Sequence, residues 1–129
     1  MQVVAAKVIR VFRPGPDFRI EEVREFAEKS RCNSFLFDTY NPKMAGGTGE
    51  AIETSIAAEL FDKTREFAWA MLAGGLKPDN VGAAIRLIRP WGVDTASGVE
   101  SAPGIKDPMK VRTFIEAVRD ADCALRSCF

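Results

Sequence analysis

Four short apolar segments alternate with amphipathic helical patterns along the 129 residues of this chain. This alternation constrains the fold more than any other feature. The segments are near-continuous in apolar character, which is typical of parallel strands that are covered on both faces. The sequence therefore predicts an α/β fold whose four parallel strands lie in Val3–Val11, Ser34–Asp38, Phe67–Ala73 and Gly92–Ala96.

A helical pattern follows each predicted strand. Asp107 and Pro108 mark the start of the last helix, because aspartate caps free N–H groups and proline suits the first turn. The chain is thus predicted to be a single (βα)₄ domain over residues 1–129. Either an open doubly wound sheet or a part of a β/α barrel would accommodate it. The residues that share a helical face are Ile20, Val23, Phe26 and Ala27; Ile52, Ile56 and Leu60; Val81, Ala84, Ile85 and Ile88; and Val111, Phe114, Ile115 and Val118.

Composition excludes several classes of function. Eighteen basic and eighteen acidic residues leave no formal net charge, which argues against a nucleic-acid or anionic-membrane partner. The absence of histidine excludes a histidine base or metal ligand in this chain, and its three cysteines lack metal-binding spacing. The apolar N-terminus carries Lys7 and Arg10, so it is predicted to be a strand of a cytoplasmic protein rather than a signal peptide.

An acidic residue, Asp38, ends the second predicted strand. The carboxyl end of a parallel strand faces a cleft, where a carboxyl group is well placed to act as a general acid. A helix-capping or loop aspartate would occupy the same sequence position. The residue alone does not decide between these two interpretations.

Small residues follow the third and fourth predicted strands. Gly74 and Gly75 come after the third, and the segment 94–100 (Asp-Thr-Ala-Ser-Gly-Val-Glu) comes after the fourth. Two neighbouring turns without bulky side chains can present backbone N–H groups to a phosphate. Ordinary tight βα turns are the alternative, but the two turns together favour a phosphate site.

Five motifs together resemble the phosphoribosylanthranilate isomerase family. Members of that family are (βα)₈ barrels of tryptophan biosynthesis that use no metal or organic cofactor. The resemblance implies that this chain corresponds to strands five to eight, so that its fold is a (βα)₄ half of a TIM-type (βα)₈ barrel. The motifs are Phe37–Pro42, Gly46–Gly49, Leu72–Leu76, Gly92–Asp94 with Ser97–Glu100, and Pro103–Asp107.

The resemblance also implies an activity and a role for individual residues. The family converts N-(5-phosphoribosyl)anthranilate to 1-(2-carboxyphenylamino)-1-deoxyribulose 5-phosphate by an Amadori rearrangement. Asp38 matches its general acid, which protonates the ribose ring oxygen, and Asp94 matches an aspartate that binds the sugar. The family's base, a cysteine in a Lys-(Ile/Phe)-Cys-Gly motif, has no counterpart here. The segment 50–54 (Glu-Ala-Ile-Glu-Thr) also departs from the family's Lys-Thr-Phe-Asp-Trp.

The remaining matched residues are those of the family's phosphate site. Gly74 and Gly75 match the loop after strand seven, whereas Ser97 and Gly98 match the loop after strand eight. Four strands cannot close a barrel, so self-association or a complementary N-terminal half is expected in addition to the substrate. A non-catalytic phosphosugar-binding or assembly half-barrel module is the alternative function. Indole-glycerol-phosphate synthase, a related barrel, relies on lysine and glutamate at its strand ends, where this chain has aspartates.

Overall fold

A parallel sheet of four strands forms the centre of the structure. The computed structural model describes residues 6–39 and 54–126. The strands are adjacent in chain order, and every neighbouring pair is parallel. They are β1 (Arg10–Phe12), β2 (Ser34–Asp38), β3 (Trp69–Ala73) and β4 (Gly92–Val93).

A helix lies between each strand and the next, and a fourth follows β4. Right-handed crossovers in a sheet of sequential order bring all helices to one face. In agreement with this, each helix packs against its neighbour in the chain, and all four contribute to one core with the sheet. The helices are α1 (Ile20–Ser30), α2 (Thr54–Thr64), α3 (Val81–Ile88) and α4 (Pro108–Arg126).

Aromatic side chains form the part of the core between β2 and the first two helices. Phe35 and Phe37 of β2 are fully buried. The ring centroid of Phe37 lies 5.3 Å from that of Phe61 in α2 and 6.2 Å from those of Phe12 and Phe18. These edge-on and tilted contacts connect β1, β2 and α2, so Phe37 joins three elements that are distant in sequence.

The face of the sheet opposite the helices is more exposed. Leu36 alternates with the buried phenylalanines of β2 and is only half-buried, as is Met71 in β3. Val11, Leu36, Met71 and Gly92 occupy one row across the sheet, and Val11 is 42% exposed. Within the described residues, the helices cover one face only, and the expectation of cover on both faces is not met there.

Three predicted strands are shorter in the structure. β1 starts at Arg10, because residues 6–9 make no ladder with β2, and residues 3–5 lie outside the described part. β3 starts at Trp69 since the N–H groups of Phe67 and Ala68 bond back to the Thr64 carbonyl. β4 ends at Val93, after which the chain leaves the sheet.

Two features at the end of the chain complete the fold. The predicted cap of α4 is confirmed, because Asp107 Oδ1 accepts hydrogen bonds from the N–H groups of Met109 and Lys110 at 2.9 and 3.4 Å. An unpredicted antiparallel hairpin of β5 (Glu100–Ala102) and β6 (Ile105–Lys106) precedes it. In the described part of the chain, no helix is long and apolar enough to cross a membrane.

The two tryptophans of the chain lie together at the end of the sheet where the strands begin. Trp69 begins β3 and Trp91 immediately precedes β4. Their ring centroids are 5.9 Å apart, and both side chains are more than half exposed. The pair therefore marks the amino-terminal edge of the sheet.

Burial of α2 against the sheet predicts that truncation of two leucines lowers the free energy of unfolding by different amounts. Leu60 of α2 is 8% exposed and Leu87 of α3 is 63% exposed. We expect Leu60→Ala to lower the free energy of unfolding by about 2–4 kcal/mol and Leu87→Ala by less than about 1 kcal/mol. Urea denaturation of both variants at one protein concentration measures this. Equal losses would contradict the assigned packing of α2.

Candidate active site

Asp38 lies at the carboxyl end of β2, on the face that the helices leave open. Its position follows from the alternation of the strand, because Phe37 beside it is buried in the helix-covered core. Arg13, which comes just after β1, places its Nε 3.5 Å from Asp38 Oδ2. The arginine side chain is 74% exposed and that of Asp38 is 28% exposed. Asp38 is therefore reachable from solvent and lies beside a cation.

The chain after β3 forms a loop held by side chains from both sides, here called the Gly74–Leu76 loop. The backbone of Gly74 has φ 109° and that of Gly75 has φ 68°, a left-handed region that glycine adopts without strain. Asn80 Nδ2 donates to the Gly75 carbonyl at 3.0 Å, and Asn80 Oδ1 accepts from the Lys77 N–H at 2.7 Å. Asn80 thus fixes the end of the loop.

Thr39 connects the end of β2 to the start of this loop. Both its N–H and its hydroxyl group donate to the Ala73 carbonyl at 2.9 Å. The residue is 5% exposed, so these hydrogen bonds are shielded from water. Asp38 and the Gly74–Leu76 loop are consequently held at a fixed relative position.

The chain after β4 forms a single 3-10 turn, the Ser97–Val99 turn, in contact with the Gly74–Leu76 loop. Thr95 Oγ1 donates to the Leu76 carbonyl at 2.7 Å. A Cβ atom on Gly98 would lie 1.8 Å from the same carbonyl oxygen, a distance at which atoms overlap. Only glycine allows this approach, so the contact holds the two loops together.

Backbone N–H groups of both loops are available to a ligand. Within residues 6–39 and 54–126, those of Gly74, Gly75, Ser97 and Gly98 donate to no protein acceptor. Free N–H groups on neighbouring turns attract an oxyanion without a positively charged side chain. The arrangement is therefore suited to a phosphate or carboxylate group.

A cleft of about 490 Å³ lies between these parts. All six residues that the sequence analysis assigned to the site line it. Asp94 is held at its edge by a 2.9 Å hydrogen bond from its N–H to the Leu72 carbonyl. The six are Asp38, Gly74, Gly75, Asp94, Ser97 and Gly98.

The sequence analysis missed two charged residues at the site. Lys77 lines the cleft, and Arg13 contacts Asp38. Arg13 directly follows the first strand, so the rule that selected Asp38 would also have selected it. The Gly46–Gly49 motif and the segment 50–53 lie outside the described residues. In the described part of the chain, no group of three or more acidic or cysteine side chains could hold a metal ion.

Comparison with known proteins agrees with this geometry. The family model for N-(5'-phosphoribosyl)anthranilate (PRA) isomerase matches residues 2–117. The chain belongs to this family. It is 64% identical, over 99% of its length, to an N-(5'-phosphoribosyl)anthranilate isomerase from Chlorobaculum tepidum, of which it covers 58%.

Solved structures of the family have a matching fold. The chain aligns with phosphoribosyl anthranilate isomerase from Thermotoga maritima at 30% identity and a TM-score of 0.68, over 90% of this chain and 53% of that one. A second isomerase structure, in complex with reduced 1-(o-carboxyphenylamino)-1-deoxyribulose 5-phosphate, aligns at 27% identity and a TM-score of 0.62, over 87% and 48%. The chain thus spans about half the length of these relatives.

The contact at Gly98 predicts that two glycine substitutions change the free energy of unfolding in opposite directions. We expect Gly98→Ala to lower the free energy of unfolding by about 1–3 kcal/mol, because the new methyl group must displace the Leu76 carbonyl. Gly82 in α3 is the matched control, since a Cβ there would lie 3.6 Å from its nearest neighbour. Gly82→Ala should raise stability by about 0.5–1 kcal/mol. A Gly98→Ala protein as stable as the wild type in thermal denaturation would show that the two loops are not in contact.

Proposed function

We propose that this chain carries the general-acid and phosphate-binding half of a phosphoribosylanthranilate isomerase. The enzyme would convert N-(5-phosphoribosyl)anthranilate to 1-(2-carboxyphenylamino)-1-deoxyribulose 5-phosphate in tryptophan biosynthesis. The observation that carries this proposal is the cleft in which Asp38 lies near two loops whose N–H groups donate to no acceptor in the described part of the chain. We assign the protein to the cytoplasm, a reducing compartment, in keeping with the free thiols of Cys32 and Cys123.

Asp38 would act as the general acid. It protonates the ring oxygen of the phosphoribosyl group, the furanose opens, and the bond between C1 and the anthranilate nitrogen becomes a Schiff base. A base then removes the proton from C2, and the resulting enolamine takes up a proton at C1 and loses the proton of its C2 hydroxyl group to give the ketose. The position of Asp38 at a strand's carboxyl end supports this role, because β/α barrels carry their catalytic groups there.

The two loops would bind the phosphate group of the substrate. The N–H groups of Gly74, Gly75, Ser97 and Gly98 would donate to its oxygens, and Asp94 would accept a hydrogen bond from a sugar hydroxyl. Binding at the phosphate end orients the ribose at Asp38, so that contacts remote from the reacting bond contribute to the rate. The ligand of the 27% identical structure carries the same phosphate group, which supports this assignment.

We also propose that residues 1–129 are a single (βα)₄ domain, the C-terminal half of a TIM-type (βα)₈ barrel. The sequential strand order, the cover of one sheet face by helices, and the match to 53% of the Thermotoga maritima structure support this. A complementary N-terminal half would cover the row of Val11, Leu36 and Met71. That half would also supply the base, which is a cysteine in the family.

Replacement of the proposed acid tests the catalytic role. The chain is expressed together with the segment of the Chlorobaculum tepidum relative that it does not cover. We expect turnover of N-(5-phosphoribosyl)anthranilate by this pair. Asp38→Asn should lower kcat at least about 100-fold with little change in phosphate binding, because the amide cannot donate an acidic proton. Asp62→Asn is the control, since Asp62 is exposed and pairs with Arg65 outside the cleft.

Each other outcome would contradict part of the proposal. Unchanged turnover in Asp38→Asn would show that Asp38 is not the general acid. Turnover by the chain alone would mean that its base lies within these residues. Phosphate binding without turnover in the combined protein would favour a non-catalytic phosphosugar-binding module.

The open face of the sheet predicts association of the isolated chain. We expect sedimentation velocity to find a dimer at micromolar concentration, because exposed apolar side chains and the edges of β1 and β4, which pair with no further strand in residues 6–39 and 54–126, favour association. Met71→Glu, on the open face, should shift the chain to a monomer. Ile115→Glu, on α4 and 43% exposed, should leave the dimer unchanged. A monomer at every concentration would contradict association through this face.

A further inference from the structure

The hairpin of β5 and β6 contacts the proposed phosphate site without lining its cleft. Glu100 and Lys106 pair across this hairpin. Glu100 directly follows the Ser97–Val99 turn, and Ala96 directly precedes it. Contacts to these two flanking residues therefore help to hold the turn, together with the 2.8 Å hydrogen bond from the Asp107 N–H to the Val99 carbonyl.

Lys106 bridges the two flanking residues. Its Nζ donates to the Ala96 carbonyl at 2.9 Å and to Glu100 Oε2 at 3.0 Å. The turn has two backbone hydrogen bonds, from the Glu100 N–H to the Ser97 carbonyl and from the Val99 N–H to the same Ala96 carbonyl, and the second is long at 3.4 Å. The bond from Lys106 is shorter and charge-assisted, so it holds the turn more firmly than this second backbone bond does.

Glu100 is in turn held by the hairpin and by α4. Its Oε1 accepts from the Gly104 N–H at 3.3 Å, and its carbonyl accepts from Lys110 Nζ at 2.8 Å. The hydrogen bond from Lys106, followed by that from Gly104, lowers the pKa of the Glu100 carboxyl from its usual 4.5. The carboxylate is therefore ionised at neutral pH, and its side chain is 14% exposed.

We propose that Glu100 and Lys106 are positioning residues for the phosphate site. By bridging Ala96 to Glu100, the pair holds the Ser97–Val99 turn in the shape that directs the Ser97 and Gly98 N–H groups into the cleft, and this sets the affinity for phosphate. Neither residue lines the cleft. The inference rests on the proposed function, since it takes these N–H groups as phosphate donors.

A titration of the ¹⁵N-labelled full chain with inorganic phosphate at constant ionic strength tests the inference. In the wild type, we expect the amide signals of Gly74, Gly75 and Gly98 to shift with a common dissociation constant. Lys106→Met should raise that constant about three- to fivefold, and Lys106→Arg should restore most of the loss. Lys63→Met is the matched control, because Lys63 forms a comparable ion pair with Glu59 on α2, outside the cleft.

Glu100→Gln separates positioning from simple charge attraction. Removal of a negative charge near the site would strengthen phosphate binding if the pair acted only through its charge. Positioning predicts the opposite, a weaker affinity. The double variant should bind no more weakly than Lys106→Met alone, because the two residues act through one contact.

The outcomes distinguish this inference from the proposed function. A wild type whose glycine signals do not respond to phosphate would overturn the proposed phosphate site. A responsive wild type with equal or tighter binding in Glu100→Gln would overturn the positioning role alone. Glu100→Gln preserves the size of the side chain, so it decides the question even if Lys106→Met fails to fold.

Discussion

The burial of alternate side chains in β2 and β3 against the helices determines the rest of the structure. Phe35 and Phe37 of β2 are fully buried, and their register with β3 aligns them with Ala70 and Leu72. Because successive residues of a strand point to opposite faces, Asp38 must lie on the other side of the sheet. The same constraint that stabilises the core thus brings a carboxyl group to the open face, where a substrate can reach it.

The proposed phosphate site depends on close contact between the backbones of its two loops. Leu76 and Gly98 approach so closely that no side chain could stand between them, and the Thr95 hydroxyl group binds the same carbonyl. Such a site needs its donors held in advance, since flexible N–H groups would lose their advantage over water on binding. The side chains of Asn80 and Lys106 supply that rigidity from outside the cleft.

Hydrophobic patterning and capping predicted the elements whose formation depends on residues close together in the sequence. The strand Ser34–Asp38, the four helices and the Asp107 cap follow from patterning and capping alone, and the residues that end the strands follow from the βα alternation. The reduced lengths of β1 and β4 do not follow from patterning, because the length of a strand depends on its pairing with a neighbouring strand. The β5–β6 hairpin and the hydrogen bond from Lys106 to Ala96 were not predicted either, since each depends on which groups the fold brings together. The family resemblance added the assigned roles, which composition and spacing could not supply.

The paired tryptophans have a spectroscopic consequence. Trp69 and Trp91 are the only tryptophans of the chain, and both lie at the amino-terminal edge of the sheet, far along the strands from Asp38. Two exposed indole rings 5.9 Å apart emit in a watery environment and couple their electronic transitions. The tryptophan fluorescence of the protein therefore reports on the amino-terminal edge of the sheet. A molecule that covers this edge changes the tryptophan emission, whereas one that enters the cleft leaves the emission nearly constant. Fluorescence can therefore distinguish binding at the two ends of the sheet.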